Sequence, residues 1–261
     1  MLSFTTTQIN AWIVAFIYPV TRILAFAASA PFLNNAGLPT RLRLLLGLAL
    51  TVAIVPSLPP MPNVLPTSGQ GILILVQQIL IGVGMGFSMR MVFAGIEMAG
   101  QMIGNQMGLG FATFYDPLST SQTVVIANFS TMLATLLFLS LNGHLVYFAT
   151  LAQSFQSVPI SSIPVAAQGW KIVVLAAEKI FIIGVVLSLP VVTALLITNL
   201  ALGVLNKAAP QLNLFAIGFP ITLGFGFIGY ALSLDYMATP LERYFNEGMS
   251  TMLEFALSTT R

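Results

Sequence analysis

Of 261 residues, 57% are hydrophobic and only 6% are Asp, Glu, Lys or Arg, against about 25% charged in a typical soluble domain, so the chain lacks the surface a water-soluble fold needs. Its net charge of +2 comes without any cluster of Lys and Arg, which excludes a nucleic-acid-binding patch. With no Cys and a single His, disulfides, thiolate metal sites, cysteine nucleophiles and multi-histidine metal sites are excluded too, and no cofactor is expected.

The expected fold class is therefore an all-α integral membrane protein. No charged side chain falls in the forty-six residues between Arg43 and Arg90, and from Pro117 to Trp170 His144 is the one exception to a wholly uncharged run. A span takes about 20 mostly apolar residues, which leaves room for roughly six spans and no soluble domain of ordinary size. Met1 to Asn10 is polar and uncharged, without the basic region and cleavage site of a signal peptide, so the first apolar stretch reads as a retained span.

Six apolar segments follow in order, at 11–30, 42–58, 71–98, 124–152, 172–201 and 212–237. Backbone polar groups in lipid must be satisfied internally, by helices or by a closed barrel. Barrel strands alternate polar and apolar residues, and the run Leu44-Leu45-Leu46-Gly47-Leu48-Ala49-Leu50 does not, so the segments are expected to be helices. Pro19, Pro190 and Pro220 lie inside them and predict kinks.

The connections carry turn chemistry. Ser29 to Pro39 closes the first segment, and Pro56, Pro59, Pro60, Pro62 and Pro66 make the second link extended. The third, near 99–123, is long and glycine-rich; the fourth holds Pro159 and Pro164; the fifth is the short run Asn206 to Gln211. After Thr239-Pro240 the chain changes in kind. Leu241, Tyr244, Phe245, Met249, Met252, Leu253 and Phe255 alternate with Glu242, Arg243, Glu247 and Glu254, which predicts a separate amphipathic helix at about 240–258, lying at an interface or docked on a partner. If all six segments cross in turn, Arg41, Arg43, Arg90 and Lys207 face one side and Lys171, Arg243 and Arg261 the other, which favours the first group on the cytoplasmic side.

Four features stand out as functional candidates. Gly100, Gly104 and Gly108 recur every four residues and form a smooth helix face, suited to packing within the chain, to packing on another subunit or to lining an aqueous path. Gln101 and Asn105 share the same spacing and can hydrogen-bond across to a neighbour. The following run, Leu109-Gly110-Phe111-Ala112-Thr113-Phe114-Tyr115-Asp116-Pro117, is too apolar for open water and belongs inside protein or a cavity, as a buried structural loop or as an apolar gate. Arg22, mid-way along the first segment, costs roughly 2.5–3.5 kcal/mol at bilayer centre and must find acceptors, with Glu97 and Glu178 as candidates or a snorkelling conformation as the alternative. His144, after Asn142-Gly143 near the end of the fourth segment, has no ionisable chain around it for a proton relay and reads as a satisfied interfacial side chain.

No Gly-x-Ser-x-Gly, His-Glu-x-x-His or phosphate-binding glycine loop is present, so an enzyme is not expected. A stand-alone secondary transporter would show midplane coupling acids, whereas Glu97, Glu178 and Asp235 lie near segment ends.

Taken together, four stretches resemble a known family: Gly100 to Gly108 with Phe114-Tyr115-Asp116-Pro117; Leu189-Pro190 through Asn199 to Lys207; Ala209-Pro210-Gln211-Leu212-Asn213-Leu214-Phe215 with Gly218-Phe219-Pro220; and Ala30-Pro31-Phe32 with Leu38-Pro39-Thr40-Arg41. Their order and spacing are similar to those of the FliR family of flagellar export proteins, shared with virulence type III export apparatuses. The resemblance implies a core subunit of the export gate in the bacterial inner membrane, joined by FliP and FliQ, associated with FlhB, and passing unfolded flagellar subunits. Proton-motive force and a separate ATPase supply the energy. It also implies a single export-gate domain: a FliP-like part at about 1–171, then a FliQ-like hairpin at about 172–237 with Lys207, Pro210, Gln211 and Asn213 at its tip. On this resemblance Gly108, Leu109, Gly110, Phe111, Phe114 and Tyr115 are pore-plug candidates, and Gly100, Gln101, Gly104 and Asn105 are subunit-interface candidates.

Overall fold

The computed structural model describes residues 5–33, 39–111, 125–161, 168–210 and 214–259, and no strand occurs among them. Helix α1 (Thr6–Ser29) opens on a capping box in which Thr5 and Gln8 satisfy each other's backbone N–H groups. Helix α2 (Thr40–Ile54) starts directly after Pro39, whose fixed φ suits a helix entry, and ends in a short 3-10 turn, Val55–Ser57. The proline-rich link that follows is tied back to α1, since the Tyr18 hydroxyl donates to the Val64 carbonyl at 2.9 Å. Ser68 then caps α3 (Gly69–Gln106) by accepting from the Gly71 N–H at 3.0 Å. Helices α4 (Val125–Ser140), α5 (Gly143–Ser157), α6 (Gln168–Ala176), α7 (Glu178–Ala208) and α8 (Leu214–Ser258) complete the chain.

The protein is an all-α membrane protein. Asn10–Ser29, Thr40–Ser57, Gly69–Gln106, Gln168–Ala208 and Ile217–Ser258 are long and apolar enough to cross a bilayer, and a sixth span results if α4 and α5 count as one. Three expectations are corrected. The fourth segment is two helices bent by 72°, because Asn142 adopts a left-handed φ of 55° that only Asn, Asp and Gly reach readily. The fifth segment breaks at Ala177 into α6 and α7. The amphipathic tail is no separate helix: α8 runs unbroken through Pro220 and Pro240, because Leu241, Phe245, Met252 and Phe255 bury one continuous face within this chain. Pro19 and Pro190 also lie inside unbroken helices. Arg90 sits within α3 rather than in a loop, so assigning sides by counting crossings does not apply.

The chain forms two compact units of interleaved sequence. The first is Met1–Met91, Asn142–Ala177 and Asn246–Arg261; the second is Val92–Leu141 and Glu178–Phe245. In the first, α1 and α3 run parallel and in close contact, with Arg22 level with Gln78 and Ser29 level with Gly86. Phe26 stacks on Tyr147 of α5 at 4.3 Å, and Phe255 of α8 meets both Gly84 and Trp170. In the second, the end of α3 runs parallel to α7 (Gly95 at Ile183, Met102 at Ser188) and antiparallel to α4 (Gly100 at Ala127). Helix α8 returns antiparallel to α7, with Gly229 beside Val191. Phe93, Phe138 and Phe245 meet pairwise at 5.1–6.1 Å between ring centres and close the core of this unit.

Candidate functional site

The apolar run after α3 is anchored at one end. The last turn of α3 leaves carbonyls without helical partners, and the Thr222 hydroxyl of α8 donates to one of them, the Met107 carbonyl, at 3.3 Å. The Met107 side chain is fully buried and lies where Gly226 offers no side chain of its own. Immediately afterwards Gly108 takes a φ of 88°, the left-handed conformation that ends helices at glycine. Gly108 is thus the stop of the helix and not a third rung of the Gly100–Gly104 face, as its spacing suggested. Leu109–Phe111 forms a single 3-10 turn, in which Leu109 and Gly110 remain partly exposed. The Asn105 side chain lies over Gly110, where an added Cβ would sit 3.0 Å from its Oδ1. Phe114 and Tyr115 lie outside the described residues.

Of the predicted interface set, Gly100 packs within the chain: a Cβ there would overlap the Ala127 backbone of α4. Gly104 is buried as well. Gln101 does not reach across to a neighbouring helix; its amide donates to Glu97 one turn earlier at 3.3 Å. Asn105 is exposed. A second glycine face, absent from the sequence reading, proves closer still. A Cβ on Gly82 would overlap the Arg22 carbonyl oxygen, and one on Gly86 the Ser29 hydroxyl. The run Gly82-Val83-Gly84-Met85-Gly86 carries the four-residue spacing that could have revealed it.

Arg22 is completely buried in the first unit. Its Nε donates to Gln78 Oε1 at 2.7 Å, Nη1 to the Ser154 carbonyl at 3.1 Å and hydroxyl at 3.3 Å, and Nη2 to the Val158 carbonyl at 2.9 Å. The Phe155 ring lies 4.3 Å from the guanidinium carbon. Neither Glu97 nor Glu178 is a partner: the first accepts from Gln101, and the second stands in the first turn of α7, where an acid suits the helix dipole. Every hydrogen-bond partner of Arg22 among the described residues is neutral. The charge is balanced instead by the carbonyl end of α5, the negative pole of that helix, with a cation–π contact on one face.

A family model described as bacterial export proteins, family 1, matches residues 13–248. The flagellar biosynthetic protein FliR of Pectobacterium carotovorum subsp. carotovorum is 43% identical over 248 residues, covering 95% of this chain and 94% of that one. The chain belongs to the FliR family of bacterial export proteins. FliR of Escherichia coli K12 is 42% identical over the same shares, and FliR of Aquifex aeolicus is 30% identical over 87% of each chain.

In this FliR-family chain the hairpin tip is described in part. Lys207 is exposed in the last turn of α7, where a cation suits the dipole, and Pro210 follows the helix end; Gln211 and Asn213 lie outside the described residues. His144 is corrected in place: it stands at the start of α5 beyond the bend, and its Nδ1 is buried without a hydrogen-bond partner among the described residues. No group of three or more metal-ligating acids or His occurs among the described residues.

Proposed function

We propose that this FliR-family chain is a core subunit of the flagellar type III export gate in the bacterial inner membrane. It assembles there with FliP and FliQ, associates with FlhB, and passes unfolded flagellar subunits. The run 108–117 closes the channel as an apolar plug, hinged at Gly108. Residues about 172–237 are the FliQ-like hairpin, with Lys207, Pro210, Gln211 and Asn213 at its tip, and the chain does no catalysis of its own.

The observation that carries this reading is the match to FliR-family proteins over residues 13–248. Helix α8 has 45 residues, about 67 Å at the usual rise per residue, against a hydrocarbon core of about 30 Å. Large apolar side chains stay exposed from Ile217 to Tyr236 along it, with Leu257 alone beyond them, and from Phe181 to Leu205 along α7. Lipid tails suffice for a run of about 20 residues, and companion subunits cover what extends beyond it along α7. The anchoring of Met107 under Gly226, followed by a glycine at positive φ, supports a loop that pivots on a fixed base.

The test is made on the complex co-expressed and purified with FliP and FliQ. Deleting Gly110 to Tyr115 is expected to leave complex yield intact and to raise ion leakage through membranes containing the complex. Background leakage with normal assembly removes the plug. A chain that never co-purifies removes the gate reading itself.

A further inference from the structure

In the first unit a groove of about 560 Å³ opens between α6 and the last turns of α8, lined by Gln168, Lys171, Ile172, Leu175, Glu254, Leu257 and Ser258. Its position in the fold is fixed tightly. The Trp170 ring meets the buried Phe255 edge-on at 5.5 Å, and Gly169 lets α6 approach Thr259, where a Cβ would stand only 2.7 Å from its Cγ2. Its chemistry is split. Ile172, Leu175 and Leu257 supply an apolar wall; Lys171 and Glu254 supply opposite charges from two different helices.

The whole chain has only nine Lys and Arg and seven Asp and Glu, so two of them on one groove is unusual. Neither makes a hydrogen bond or ion pair with another described residue. Trp170 stands beside them, and tryptophan concentrates where the apolar core of a bilayer gives way to headgroups.

We propose that this groove holds one amine-bearing zwitterionic phospholipid, its phosphate at Lys171, its ammonium at Glu254 and its first acyl carbons along Ile172, Leu175 and Leu257. Charge complementarity selects this occupant. An anionic headgroup satisfies Lys171 and is repelled by Glu254. A purely apolar occupant strips water from both charges and returns nothing. A choline headgroup carries the cation but has no N–H to donate to the Glu254 carboxylate.

Trp170 is a built-in reporter, because the chain has only two tryptophans, Trp12 and Trp170. The full chain carrying Trp12→Phe is placed in vesicles containing phosphatidylethanolamine, phosphatidylcholine or phosphatidylglycerol with brominated acyl chains, and quenching of Trp170 gives relative occupancy. Phosphatidylethanolamine is expected to bind about two- to fivefold more strongly than the other two, the size of one exposed charge pair. Glu254→Gln is expected to abolish the preference, and Lys171→Gln to weaken all three lipids while leaving their order; both side chains are exposed. Equal quenching by all three lipids overturns the proposal, as does a preference that survives Glu254→Gln, or quenching by all three left unchanged in Lys171→Gln. A preference for phosphatidylglycerol lost only in Lys171→Gln overturns it in favour of an anionic headgroup. Protection of Trp170 from every brominated lipid overturns it in favour of a polypeptide cover.

Discussion

Arg22 shows how a membrane-embedded charge is accommodated without a counter-ion. Four hydrogen bonds and one ring face take up the guanidinium, and two of the acceptors are backbone carbonyls near the end of α5. Arg22→Met keeps much of the volume but leaves those acceptors bare, at about 1–3 kcal/mol for each buried group without a partner. The expected outcome is a clear fall in the unfolding temperature of the detergent-purified chain. Arg22→Lys should fall less than Arg22→Met but remain below the parent, because an ammonium cannot reproduce the planar fork. That this arginine needed acceptors was legible from its place in an apolar segment. Their identity was not, because a search for partners by residue type finds carboxylates and has no sign for a backbone carbonyl. Gly108 misled for a related reason: four-residue spacing reports where a glycine falls on an ideal helix, and the helix had already stopped.

At the scale of elements, the contact of α1 with α3 depends on glycine. Gly82→Ala pushes a methyl group into the Arg22 carbonyl, part of a helix backbone that cannot swing away. Overpacking of this kind costs typically about 1–3 kcal/mol. Gly203, on α7, has nothing within 4 Å of an added Cβ, so Gly203→Ala should leave the isolated chain unchanged or slightly firmer, by the helix preference for alanine. Thermal unfolding of the two variants side by side checks both expectations; an equal gain in both would show that helix propensity and not close approach decides. Helices were legible as helices because hydropathy marks long apolar runs. Their ends were not. Asn142-Gly143 is a turn dipeptide inside an apolar run, and it bends the chain by 72° without a change in hydropathy. Pro240 is a start signal that tertiary packing of Leu241 and Phe245 overrides.

For the molecule as a whole, the chain folds as two compact units woven from five stretches. Long-range weaving leaves no mark on composition, since each stretch looks equally apolar whichever unit it joins. The weaving has a consequence for synthesis. Helix α1 belongs to the same unit as the stretch beginning at Asn246, so a ribosome must finish nearly the whole message before that unit can close. Until then the Gly84 face, which Phe255 finally fills, stays open in the nascent chain. A product ending before Asn246 should keep the unit closed by Phe93, Phe138 and Phe245 resistant to limited proteolysis, while α1, α2, α5 and α6 of the other unit are cut readily. The late-arriving segment thus acts as a completion signal, by which quality-control proteases can tell an unfinished copy from a finished one.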